Sequence, residues 1–213
     1  MAELTSVFWS QIMATSLPEW AAVVLALAYV WLAAIENPWC WLCAFVSTAL
    51  YTWLFWQVTL PFQSALNLFY MVMAVYGYFQ WHGNTNTPSR RIVSWSWRRH
   101  GVIVPLALLL AWGVSGIAAS QFSSDHLQLD ASIHLLSMVT TFMVAHKVLE
   151  NWLYWFFINL ASVYLYWQTG LVLTACLFAC YVVFSVYGFV RWRQQWKQDH
   201  GSEINHHAAQ RQA

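Results

Sequence analysis

Ionisable side chains in this chain are confined to a few short stretches, and long charge-free segments separate them. Lys and Arg occur only at Arg90, Arg91, Arg98, Arg99, Lys147, Arg191, Arg193, Lys197 and Arg211. Asp and Glu occur only at Glu3, Glu19, Glu36, Asp125, Asp130, Glu150, Asp199 and Glu203. A helix needs roughly 17–25 mostly apolar residues to cross a bilayer. Seven segments meet or approach that length: 19–36, 39–56, 61–81, 102–120, 132–149, 152–168 and 171–191. With 60% hydrophobic and 8% charged residues in 213, the chain has too little polar surface for a water-soluble domain, which carries about a quarter charged residues. The expected class is an all-α membrane protein.

Charge placement orients the spans. With the N-terminus outside, the connections at 36–38, 82–101 and 147–151 and the tail from 191 face the cytoplasm, and they hold all nine basic residues. The loop 121–131, carrying Asp125 and Asp130, then lies outside. Residues 1–18 show no signal-peptide pattern, and Leu4, Val7, Phe8, Gln11 and Ile12 recur at helical spacing, as in a short interfacial segment, with a frayed terminus as the alternative reading. The tail 193–213 is polar and is expected to be disordered, and its His200, His206 and His207 are read as solvated rather than metal-binding. Trp20, Trp39, Trp81 and Trp192 near span ends are read as interfacial anchors.

The chain also repeats itself. A shift of 111 residues places Trp41 on Trp152, Phe45 on Phe156, and Trp56 and Gln57 on Trp167 and Gln168. It also places Tyr70 on Tyr181, Tyr76 and Gly77 on Tyr187 and Gly188, and Trp81 on Trp192. Fourteen of the 41 positions from Trp41 to Trp81 are identical. The first three spans therefore correspond to the last three, with one span between them. An odd intervening span gives both triplets the same direction. The expected architecture is two parallel three-helix bundles, 19–81 and 132–192, with 82–131 as loop, linking helix and outer loop. Parallel repeats of this kind are common in transporters, with the solute site between the halves near the midplane.

Polar residues inside spans cost free energy unless they face protein or water. In the third span Gln63, Asn67 and Tyr70 share a face, and in the sixth Trp152, Trp155, Asn159, Ser162 and Tyr166 do. The second places Trp41, Phe45, Thr48 and Thr52 together, the fifth His134, Ser137 and Thr141, and the seventh Tyr181, Ser185 and Gly188. Gln63, Asn67, Tyr70, Trp155, Asn159 and Ser162 are the candidate substrate-binding residues. An amide offers two donors and an acceptor, and Trp155 can stack on a flat or cationic ring. The same amides could instead join helices. Across the repeat, Asn159 stands opposite Thr48 and Asn67 opposite Phe178, an asymmetry that a lopsided solute would require. No Asp, Glu, Lys or Arg lies mid-span, which favours passive movement over ion coupling. His134 is the one candidate relay.

Other chemistry finds little support. Cys40 and Cys43 have CxxC spacing, and Cys176 and Cys180 are four apart, but all sit in apolar helical sequence. No phosphate loop, HExxH or nucleophile-elbow motif occurs. No catalytic residue, metal or cofactor is expected. A haem or intramembrane enzyme site using His134 and His146 would need residues from opposite ends of one span to meet. A non-transporting accessory subunit is a third class.

The segments VWLAAIENPWCW, FYMVMAVYGYFQW, LDASIHLLS, KVLENWLYWFFINLASVYLYWQTGLVLTA and YGFVRW resemble the nicotinamide riboside transporter family, PnuC, over about residues 20–192. The resemblance implies seven helices in a SWEET-like arrangement, usually as a homotrimer in the bacterial inner membrane. It implies uptake of nicotinamide riboside by facilitated diffusion, with trapping by cytoplasmic phosphorylation. The family's substrate residues fall here on Asn67 (often Gln in the family), Tyr70, Trp155 and Asn159. Two positions depart from the pattern: His134 stands at a frequent Thr, and Thr169 at a frequent Lys. Relatives carry thiamine or riboflavin, and thiamine is the alternative solute.

Overall fold

The computed structural model describes residues 2–57, 61–82, 90–119 and 126–210, except the side chains of 2–5, 61–62 and 202–210. Asp125, Arg211 and the side chains of His206 and His207 lie outside that description. Among the described residues the regular elements are eight helices: α1 (Ala2–Ala14), α2 (Leu17–Ala34), α3 (Cys40–Gln57), α4 (Pro61–His82), α5 (Trp97–Ala118), α6 (Leu127–Ala145), α7 (Asn151–Gln168) and α8 (Val172–Gln210). α2, α5, α6 and the first part of α8 are long and apolar enough to cross a membrane by length and composition. α3, α4 and α7 are richer in Trp, Tyr, Asn, Ser and Thr, and they supply much of the polar lining described below.

α2 and α3 pack together, as do α3 and α4, and α6, α7 and α8 repeat the pattern. The halves meet reciprocally: α2 packs on α8, and α4 packs on α6. α5 packs on α6. α1 lies against α8. There Gln11 donates to the Gly170 carbonyl (3.0 Å) and accepts from the Leu173 N–H (2.9 Å), supplying an acceptor to the first turn of α8. Gly170 is in the left-handed region (φ 76°), where the three-residue connection between α7 and α8 favours glycine.

The repeat survives in atomic detail at the end of the molecule that carries Lys147. Trp81 donates its indole N–H to the Val144 carbonyl (3.1 Å), and Trp192 donates to the Ala33 carbonyl (3.1 Å). Shifted by 111, each bond becomes the other. Trp41 meets Trp81 edge-on (5.4 Å, 87°), Trp152 meets Trp192 likewise (5.5 Å, 86°), and Trp81 and Trp192 touch across the pseudo-twofold axis (5.9 Å). Trp31 stacks on Tyr187 (5.4 Å) as Phe142 stacks on Tyr76 (6.2 Å). All four cluster tryptophans are buried. Trp81 and Trp192 are therefore not interfacial anchors: their N–H groups are needed to join the halves, and burial protects those bonds from water. Trp39, by contrast, is exposed.

Both α2 and α6 end in the same motif. Glu36 N–H bonds Ala33 O and Asn37 N–H bonds Leu32 O, as Lys147 N–H bonds Val144 O and Val148 N–H bonds Met143 O. This is a Schellman closure, in which the left-handed residue is usually glycine. Here it is Glu36 (φ 56°) and Lys147 (φ 50°). The reason for side chains at these strained positions is that they pair with each other, Lys147 Nζ lying 2.9 Å from Glu36 Oε2. Lys147 Nζ also sits 4.8 Å from the centre of the Trp81 ring. Lys147 is buried and Glu36 partly so, so Glu36→Gln is expected to cost ~2 kcal/mol, in the range for hydrogen bonds to charged groups. The double exchange Glu36→Lys with Lys147→Glu is expected to recover most of that loss, because the repeat offers the moved lysine the equivalent ring of Trp192. Thermal midpoints of the single and double variants in detergent check this.

Two element boundaries move. The linking helix starts at Trp97 rather than near 102, and α6 spans Leu127–Ala145 rather than 132–149. The segment before α5 is held down by a bridge between Val93 and Val148 and by Glu150, which accepts from the Ser94 hydroxyl and from the Trp95 N–H (3.1 Å). The tail expected to be disordered continues α8 as helix to Gln210. Its Arg, Gln and Lys residues are good helix formers, Trp196 packs on the core, and Gln195 donates to Asp199 one turn on (3.3 Å).

Candidate functional site

A central cavity of about 320 Å3 opens between the halves. Helices α2, α3 and α4 line one side, and α6, α7 and α8 the other. Its inner floor is formed by Trp41 and Trp152 of the tryptophan cluster, with Ala33 and Val144 beside them. The reciprocal packing of α2 on α8 and α4 on α6 leaves this space because α3 and α7 are held apart on opposite sides of the axis.

All six candidate substrate residues, Gln63, Asn67, Tyr70, Trp155, Asn159 and Ser162, line this one cavity. Asn159 is buried and donates to the Ser185 hydroxyl (3.2 Å), which in turn donates to the Tyr181 carbonyl (2.8 Å). The second helix–helix role expected of such amides is therefore real for Asn159, and it fixes the amide's orientation at the cavity wall. Asn67 donates to the Gln63 carbonyl one turn back (2.9 Å). Ser162 is fully buried and donates to the Ile158 carbonyl (2.9 Å). Trp155 is partly buried and contacts both core clusters.

The faces read from helical spacing are reproduced on α4, α6 and α7, with His134, Ser137, Thr141 and Tyr166 at the cavity. His134 Nδ1 lies 2.7 Å from the Asp130 carbonyl and 3.2 Å from its carboxylate. His146 instead pairs with Tyr76 (3.1 Å) beyond the other end of α6, about 18 Å along the axis from His134 at 1.5 Å per residue. The α3 face needs correction: Thr48 lines the cavity with Ser47 and Tyr51, whereas Phe45 is exposed and Thr52 is not part of the lining. The wall is set by Trp41, Ala44, Ser47, Thr48 and Tyr51, a stripe rotated from the one read in sequence. Tyr29 and Tyr51 were missed. Tyr51 sits three residues after Thr48, and Tyr29 is the only Tyr of the first span, but neither has an aromatic partner in the repeat to mark it.

Comparison with known proteins places these features in context. The model of the family described as nicotinamide mononucleotide transporter matches residues 16–194. The chain belongs to that transporter family. A crystal structure described as that of the vitamin B3 transporter PnuC superposes with a TM-score of 0.67 at 20% identity, covering 92% of this chain and 90% of that one. The chain therefore has the fold of that protein. As a member of this family it is a multi-pass membrane protein, and the matched residues include both halves of the repeat, the tryptophan cluster and the cavity wall.

Proposed function

We propose that the protein carries nicotinamide riboside across the bacterial inner membrane by facilitated diffusion, through the cavity between its halves. The observation that carries this reading is the chemistry of the cavity wall. Aromatic rings (Trp41, Trp152, Trp155, Phe178, and the tyrosines 29, 51, 70, 166 and 181) are interspersed with amides and hydroxyls, and the described lining residues include no Lys, Arg, Asp or Glu. Aromatic faces attract a delocalised cation such as a pyridinium ring, and amides and hydroxyls bind a sugar's hydroxyls. Among the described lining residues the one basic side chain that could meet a phosphate is His134, whose imidazole is already paired with Asp130 (2.7 Å to the carbonyl, 3.2 Å to the carboxylate), and burying an unpaired charge is costly. The riboside therefore fits better than its mononucleotide. A cavity of about 320 Å3 lies at the small end of ligand sites, roughly 300–1,000 Å3, in keeping with one ring and one sugar.

That no carboxylate lines the cavity among the described residues supports movement down a gradient, with phosphorylation inside the cell as the pull. In this reading α2–α8 are the seven crossings. The N-terminus lies outside, and the end carrying Lys147, Arg90, Arg91 and Arg191 is cytoplasmic by the positive-inside rule. The cluster of Trp41, Trp81, Trp152 and Trp192 then closes the cavity on the cytoplasmic side.

Thiamine, also an aromatic cation, is the competing solute. Titration of tryptophan fluorescence with nicotinamide riboside, its mononucleotide and thiamine separates the three. Saturable quenching by the riboside, with at least tenfold weaker response to the other two, is the expected result. Preference for thiamine would transfer the assignment to that vitamin.

A further inference from the structure

Away from the central cavity, a second groove of about 300 Å3 runs between α5 and α6. Ile103, Leu106 and Leu110 of α5 face Leu135, Val139 and Phe142 of α6 across it, and Trp95 completes one end. Every described lining residue is apolar or aromatic. The lining runs from Ile103 to Leu110 on one helix and from Phe142 to Leu135 on the other, ~10 Å at 1.5 Å per residue. The groove therefore follows the helix axes, as a lipid tail does in a bilayer. α5 packs along α6, and no third described helix lines the groove.

Positive charge sits at the Trp95 end. Arg99 continues the α5 stripe of Ile103, Leu106 and Leu110 one turn further, and its guanidinium lies 5.8 Å from the centre of the Trp95 ring. Arg98 is its neighbour, and both are exposed. Neither pairs with a carboxylate among the described residues. Glu150, the acidic residue of this region, accepts from Ser94 and the Trp95 N–H instead. Two cations in the first turn of a helix oppose its macrodipole. The positive-inside rule asks for basic residues at this end of the molecule, but not at those positions. We propose that the groove and the arginine pair form a site for one anionic phospholipid, with its phosphate on Arg99 and Arg98 and one acyl chain between α5 and α6. Stacking on Trp95 leaves the N–H edge of the Arg99 guanidinium free for a bidentate contact with phosphate. A second copy of the chain fits this surface less well, because exposed Arg191, Arg193 and Lys197 at the same end would bring positive charge to positive. α6 turns its opposite face, with Ser137 and Thr141, to the central cavity, so the bound lipid braces the back of that wall.

The site does not depend on which vitamin is carried. Native mass spectrometry of the purified full-length protein counts lipids per protomer during titration with palmitoyl-oleoyl phosphatidylglycerol or with the zwitterionic phosphatidylcholine of the same chains. The first phosphatidylglycerol is expected to bind about ten- to thirtyfold more tightly than the first phosphatidylcholine, the effect of two basic residues on an anionic headgroup. Arg98→Gln with Arg99→Gln is expected to cut that preference to about twofold or less, and Arg98→Lys with Arg99→Lys to keep most of it, both at the native thermal midpoint. Leu106→Trp, which fills the groove and leaves the charges in place, is expected to weaken the first equivalent of either lipid about fivefold by taking the space of the acyl chain. Leu109→Trp, on the exposed face of α5 outside the groove, is expected to leave both unchanged. Equal affinity for the two lipids, a full preference in the Gln pair, or equal effects of the two Trp variants overturns the site. So does efficient crosslinking of Leu106→Cys between protomers that phosphatidylglycerol does not reduce, which would give the groove to a second copy. Should the Gln pair not fold, the preference of the native protein is expected to shrink as ionic strength rises, and a salt-independent preference overturns the site.

Discussion

Gly77→Ala is expected to destabilise the protein by ~3 kcal/mol or more, the upper end of what overpacking a dense core costs. A Cβ at this position would sit 2.3 Å from Trp41 Cζ2 and 2.4 Å from Cε2. The ring has no direction of retreat, because its edge abuts Trp81, which abuts Trp192. The repeat makes the same prediction for Gly188→Ala, whose Cβ would lie 2.6 Å from three carbons of Trp152. Thermal midpoint and monodispersity in detergent report the loss. Pairing Gly77→Ala with Trp41→Phe, which shortens the ring, is expected to restore part of it. Gly113→Ala and Gly116→Ala on α5 serve as controls. A Cβ there meets nothing within 4 Å, so the higher helix propensity of alanine is expected to leave stability unchanged or slightly raised.

Trp155→Ala is expected to weaken nicotinamide riboside binding by about thirty- to a hundredfold, because it removes both an aromatic face for the pyridinium ring and its desolvated cation–π attraction of ~2 kcal/mol. Asn159→Ala is expected to cost about tenfold, the equivalent of ~1.4 kcal/mol. It removes an oriented amide from the wall and releases Ser185, its hydrogen-bond partner across α7 and α8. Equilibrium titration of each variant, alongside its thermal midpoint, separates lost binding from lost fold. Unchanged affinity in both would make the α7 stripe a packing feature.

What sequence reasoning could see was set by periodicity and symmetry. The 111-residue repeat exposed the pairing of the halves because tryptophans seldom coincide by chance, and the structure returns it bond for bond at Trp81 and Trp192. The polar stripes on α4, α6 and α7 were legible because an amide or hydroxyl inside an apolar helix has few places to go. Four things were hidden. Trp81 and Trp192 read as anchors because position near a span end says nothing of whether a ring turns outward or toward the axis. The α3 stripe was misread at Phe45 because an aromatic residue satisfies either a lipid-facing or a cavity-facing position, and only the packing of α2 and α4 around α3 decides between them. The pairing of Glu36 with Lys147 is a contact between equivalent loops of the two halves. It became visible only once both helix ends were seen to close in the left-handed conformation. The helical tail was missed because polar composition fits both a solvated coil and a helix extended from a packed one.

Passage of a vitamin through a cavity between two parallel halves should need no ion gradient. Counterflow in proteoliposomes tests it most directly: vesicles loaded with unlabelled nicotinamide riboside are diluted into trace labelled riboside, with identical ions on both sides. The expected result is transient accumulation of label above equilibrium, saturable by internal riboside and lost in Trp155→Ala. Label entry no faster than in protein-free vesicles would contradict the account.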